Sequence, residues 1–100
     1  MQELELWCLF GFGRQAALAK ELNCSRQNIY NLIKSNSNRR DYLEQINRIE
    51  MREMQSCEKA KAILINAAQL LTHDNLLVRD RAAWELQVWG KVYSELHKGL

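Results

Sequence analysis

Arg26, Gln27, Tyr30, Asn31 and Lys34 follow one another at intervals of one, three, one and three residues, so a helix over 26–34 would carry them along one outer side. Their side chains suit the edges of base pairs. Arginine can bond O6 and N7 of guanine together, and glutamine or asparagine can do the same with N6 and N7 of adenine. Arg26 and Gln27 fall in the first turn of that helix, with Tyr30 and Asn31 one turn further on; Asn28 lies to the side. Each residue alone could equally be an ordinary helix-surface residue. Together, at these offsets, Arg26, Gln27, Tyr30 and Asn31 read as candidates for direct contact with bases.

The neighbouring residues supply what such a helix needs to be held in place. Residues 15–34 read as two short helices hinged at Asn23, the spacing of a helix-turn-helix. Leu18, Leu22, Ile29 and Leu32 are the apolar positions that two crossing helices require, and Ala19 is small where the second helix must pass close to the first. Asn23 stands where the backbone goes left-handed, a conformation asparagine tolerates better than most residues. Cys24 is a small apolar plug after the turn, and Ser25 suits the N-cap of the second helix. In the docking geometry of this motif the second helix enters the major groove while surrounding groups grip the backbone. Gln15, Ser25, Lys34, Arg39 and Arg40 are the residues expected on phosphates.

Charge follows the same division. Residues 14–40 hold Arg14, Lys20, Arg26, Lys34, Arg39 and Arg40 against the single acid Glu21, while the rest of the chain is slightly acidic. A chance cluster on a solvated face would give the same count, but phosphate attraction predicts this placement. No catalytic or metal site is suggested. His73 and His97 are isolated, and Gly11-Phe12-Gly13 lacks the rest of a phosphate loop. Cys8, Cys24 and Cys57 are odd in number and widely spaced, which fits separate thiols in a reducing compartment rather than a disulfide framework or zinc site. The acidic start Met-Gln-Glu-Leu-Glu-Leu is unlike a signal peptide, and no apolar run is long enough to span a bilayer. The expectation is a cytoplasmic, non-enzymatic protein without cofactor, metal or membrane partner.

With no proline, four glycines and abundant Ala, Leu, Glu, Gln, Lys and Arg, the chain reads as all-α. Helices are expected over 2–10, 14–22, 26–34, 39–71 and 76–97, with Phe12 inserted between the first two and Ser56 able to cap a fresh helix inside the fourth. The polar loop 35–38 divides a head, 1–38, from a helical extension, 39–100. Leu76, Ala82, Leu86, Trp89, Tyr93 and Leu96 line one face of the last helix, and Trp84, Val88 and Val92 widen it beyond the stripe one neighbour needs. Leu64, Leu71, Trp84, Val88, Trp89, Val92 and Tyr93 are therefore expected at a homodimer interface. A monomeric five-helix bundle burying everything internally is the competing arrangement.

The run from Phe10 to Ile33, with its Gln-x-x-Leu-Ala-x-x-Leu (15–22) and Ser-x-x-x-Ile-x-x-Leu (25–32), resembles the helix-turn-helix of the lambda Cro and phage-repressor superfamily. Its Phe-Gly-x-Gln-Ala-Ala-Leu-Ala opening looks especially like small regulators of the Cro/YdaS type and anti-CRISPR-associated repressors. The resemblance covers about a third of the chain and departs from the pattern at Asn23, where glycine is usual. It implies a dimeric repressor on an inverted repeat of double-stranded DNA, with Gln15 on a phosphate and Arg26, Gln27 and Asn31 on bases. Recognition helices would then stand one duplex turn, ~34–36 Å, or a multiple of it apart. A different reading is an antitoxin or anti-defence module whose helical tail holds a protein partner.

Overall fold

The computed structural model describes residues 3–35 and 39–99, leaving the Arg39 side chain aside. Every described element is helical: α1 (Glu3–Phe10), α2 (Arg14–Glu21), α3 (Arg26–Lys34), a 3-10 turn (Arg39–Tyr42), α4 (Leu43–Met54), α5 (Cys57–Leu70) and α6 (Leu76–Lys98). Among the described residues no helix is long and apolar enough to cross a membrane.

Local chemistry sets the boundaries. Gly13 precedes α2 at φ 77°, a left-handed conformation that favours glycine. Asn23 ends the same helix at φ 53°. The Cys24 N–H donates back to the Ala19 carbonyl at 2.9 Å and the Asn23 N–H to that of Lys20 at 3.2 Å. These two bonds form a Schellman closure, which satisfies carbonyls the helix end would leave open. The Ser25 hydroxyl then accepts from the Asn28 N–H at 3.2 Å and starts α3. Ser56 does the same for α5 through the Lys59 N–H, so the 39–71 stretch is broken at the residue able to cap it. Asn75 starts α6 by accepting from the Leu77 N–H at 2.8 Å.

The chain divides into two compact units, residues 1–51 and 52–100. The division falls inside α4 rather than at the 35–38 loop, most of which lies outside the described residues. Its cause is Ile46 and Ile49, which α4 buries in one cluster with Leu4 and Trp7 of α1, Leu18 and Ala19 of α2, and Ile29 of α3. The first 51 residues thus share one core. Glu21 of α2 also pairs with Arg48 of α4 at 3.1 Å.

In the second unit α5 packs against α6. Ala60, Ile63 and Trp89 form the centre, and Ala67 and Ala82 are also buried. Alanine at these positions lets helix backbones approach while Trp89 fills the remaining volume. The indole N–H of Trp89 donates to Glu85 at 2.8 Å, which satisfies a buried donor and a buried carboxylate together.

Two expected placements are corrected. Phe12 does not enter the core; it is 80% exposed, because the turn at Gly13 leaves it on the outside. Leu76 does not join the inner face of α6; it sits at the first position of the helix and is 66% exposed.

Candidate nucleic-acid interface

α3 separates its residues cleanly. Ile29 is fully buried beneath it, Leu32 and Ile33 are half-buried against the core, and Arg26, Gln27, Tyr30, Asn31 and Lys34 are exposed. Ile29 alone contributes on the order of 2 kcal/mol by burial, so the outer row rests on a fixed base. Two contacts limit the freedom of that row. Gln27 Nε2 donates to Asn31 Oδ1 at 3.3 Å, and Lys34 Nζ lies 4.8 Å from the Tyr30 ring centroid. Side chains already partly ordered lose less entropy when they bind.

The residues expected on phosphates are more scattered. Gln15 is half-buried near the start of α2, a terminus with no side-chain cap. Ser25 is exposed, but its oxygen already accepts the capping bond. Arg40 and Lys34 are exposed, as is Lys20; the side chain of Arg39 lies outside the described residues.

Arg14 departs from the basic surface that the sequence suggests. It is 2% exposed. Its Nη1 donates to the Trp7 carbonyl at 2.8 Å, and its guanidinium lies 4.8 Å from the Trp7 ring centroid. A Cβ on Gly11 would collide with the Arg14 side chain, so glycine there makes room for it. The Trp7 indole in turn donates to Glu50 of α4 at 3.1 Å. Nothing in the sequence marked Arg14 as internal except its proximity to Trp7 and Gly11.

Beside the row lies an open cleft of about 400 Å³, lined by Leu9, Phe12, Gln15, Arg26, Tyr30 and Ile33, with Glu5 and Cys8 also reaching it. Burial pushes the Cys8 thiol up to about 11, against a smaller opposing pull from Arg14, so it stays protonated at neutral pH. Sequence reasoning missed this cleft because it placed Phe12 inside.

The expected interface residues of the second unit also separate. Trp84 is 51% exposed and Leu71 is exposed; Leu64, Val88, Val92 and Tyr93 are half-buried; Trp89, 2% exposed, lies inside the α5–α6 packing. Ile65 and Leu77 are exposed as well, although the sequence did not single them out. The three cysteines are free, and no group of three His, Cys, Asp or Glu side chains could hold a metal among the described residues.

Comparison with protein-family models, with curated proteins and with solved structures gives no match.

Proposed function

We propose that the chain is a cytoplasmic, sequence-specific DNA-binding regulator: a phage-repressor-like helix-turn-helix protein that binds an inverted repeat as a dimer. One observation carries this reading. Arg26, Gln27, Tyr30 and Asn31 stand exposed along α3 while Ile29 anchors the same helix from below. The left-handed Asn23 turn and the Ser25 cap support it by fixing where α3 begins. Arg26 and Gln27 take base edges in the groove, Tyr30 and Asn31 extend the contact, and Gln15, Lys34, Arg39 and Arg40 hold the phosphates.

Selection of bound duplexes from a random library tests the reading, and enrichment of an inverted repeat is the expected result. On the selected duplex Arg26→Ala weakens binding by about 1–3 kcal/mol and relaxes preference at one base pair. Unchanged binding by that variant would remove the role given to α3.

A second reading rests on a different observation. Ile65, Leu71, Leu77 and Trp84 are exposed on α5, on α6 and between them. A second copy of the chain is the partner that the first reading requires there. An antitoxin or anti-defence module would hold a different protein on the same residues. Sedimentation of the purified chain at micromolar concentration separates the two: a dimer supports the regulator, whereas a strict monomer favours the second reading.

A further inference from the structure

Phe12 is the most exposed of the large apolar side chains described, at 80%. It stands on the turn between α1 and α2, held between Gly11 and the left-handed Gly13. Its ring forms part of the wall of the cleft that Arg26, Tyr30 and Ile33 of α3 also line. An aromatic side chain in that position adds little to the core, so its use lies outside the fold.

Charge and lining decide what the cleft accepts. Leu9, Phe12 and Ile33 give it an apolar surface; Glu5 stands against two guanidiniums in the lining, Arg26 and Arg14, of which Arg14 is engaged by the Trp7 carbonyl and ring. The wall that Phe12 shares with Leu9 suits an uncharged, largely apolar group. On a duplex, two groups of that kind border the major groove: the thymine methyl, deeper inside, and the C–H face of deoxyribose at the rim beside the phosphates. Phe12 immediately precedes the turn into α2, whose first residues include Gln15, the expected phosphate contact. That places it at the rim.

We infer that Phe12 is a DNA-contacting residue whose ring lies against the deoxyribose next to the phosphate held at the start of α2. The inference rests on the duplex-binding reading above. It adds a contact that is indifferent to base sequence and insensitive to salt, beside a row of α3 that is neither.

The full-length chain carrying Phe12→Ala or Phe12→Leu tests this against the selected duplex and a scrambled one over a range of salt concentrations. Phe12→Ala loses roughly tenfold in affinity on both duplexes, as removal of a partly buried aromatic contact predicts. Its salt dependence stays that of the unsubstituted chain, because no phosphate contact is lost. Phe12→Leu recovers most of the affinity, and both variants keep the melting temperature. Unchanged binding by Phe12→Ala, alongside weakened binding by Arg26→Ala, overturns the inference and leaves the DNA reading intact. A loss confined to one A·T pair, reproduced by replacing its thymine with deoxyuridine, overturns it in favour of a methyl contact. Failure of the unsubstituted chain to bind any duplex removes the reading and the inference together.

Discussion

Trp7 in the first unit is buried against Arg14, with its N–H on Glu50. In the second unit Trp89 is buried in the same manner, its N–H on Glu85, yet Trp84 on the same helix is half exposed. The difference follows from how many helices each unit has. Residues 1–51 close a core from α1, α2, α3 and α4, so most apolar faces find a neighbour. Residues 52–100 have chiefly α5 and α6, and a helix in a pair shows its partner only one stripe. Apolar residues outside that stripe remain on the surface. In the first unit three exposed apolar side chains, Leu9, Phe12 and Tyr30, gather at one cleft beside polar and cationic groups, while Leu43 and Met51 of α4 stand outside it. In the second they extend from Ile65 on α5 to Trp84 on α6.

The two tryptophans of α6 give the largest expected effect and the most direct way to break this comparison. Trp89→Ala leaves a cavity beside Ala60 and Ile63 and removes the indole bond to Glu85, and costs about 3–5 kcal/mol in chemical denaturation. Trp84→Ala removes a half-exposed ring that lies 5.2 Å from the Arg81 guanidinium, and costs below about 1 kcal/mol at protein concentrations where the chain is monomeric. If Trp84 lies at a dimer interface, its substitution lowers the midpoint further as protein concentration rises, since association stabilises by mass action. Equal costs for the two substitutions would mean that Trp84 is not the outer residue its exposure makes it.

Cys8 sharpens the comparison at the cleft. Burial raises its thiol from 9.0 to about 11, so the folded chain holds that proton more tightly than the unfolded chain. Stability from this group is therefore fully present below pH 9 and is lost as pH climbs through 11, by about 3 kcal/mol at most. Denaturation midpoints followed from pH 8 to 11 should fall less steeply in Cys8→Ala than in the unsubstituted chain. An identical slope would show the thiol to be as well hydrated in the fold as out of it.

Much of the fold was legible because caps and turns carry local chemistry. Asn23, Ser25 and Ser56 each act through bonds to residues a few positions away, and a sequence shows those positions. Apolar periodicity likewise found Leu18, Ile29, Ile46 and Ile49. What escaped depends on contacts distant in sequence or on the direction of a turn. Arg14 looks like any surface cation until the Trp7 ring and carbonyl meet it. Phe12 looks like a core residue until Gly13 takes φ 77°. The width of the apolar surface on α6 was legible, but not which tryptophan α5 would cover. That choice depends on Ala60 and Ile63 meeting Trp89.

Modest effects come from a pair of matched caps, one in each unit. Ser25 and Ser56 each accept from the N–H three residues on, at 3.2 Å in both cases. Replacing either by alanine should cost about 1 kcal/mol, with a glycine replacement milder. Chemical denaturation should scarcely distinguish the two. Duplex binding should: Ser25 starts the helix that bears Arg26 and Gln27, so fraying its first turn moves the two side chains assigned to base edges. Ser56 starts a helix with no side chain assigned to DNA, and binding at a concentration where both variants are folded and dimeric should match the unsubstituted chain. Equal weakening by both would place DNA contact on α5 as well as α3, and the division of labour between the units would fail. Weakening by Ser25→Ala alone would tie the order of one helical turn to recognition, at a cost in stability that the other unit bears without functional consequence.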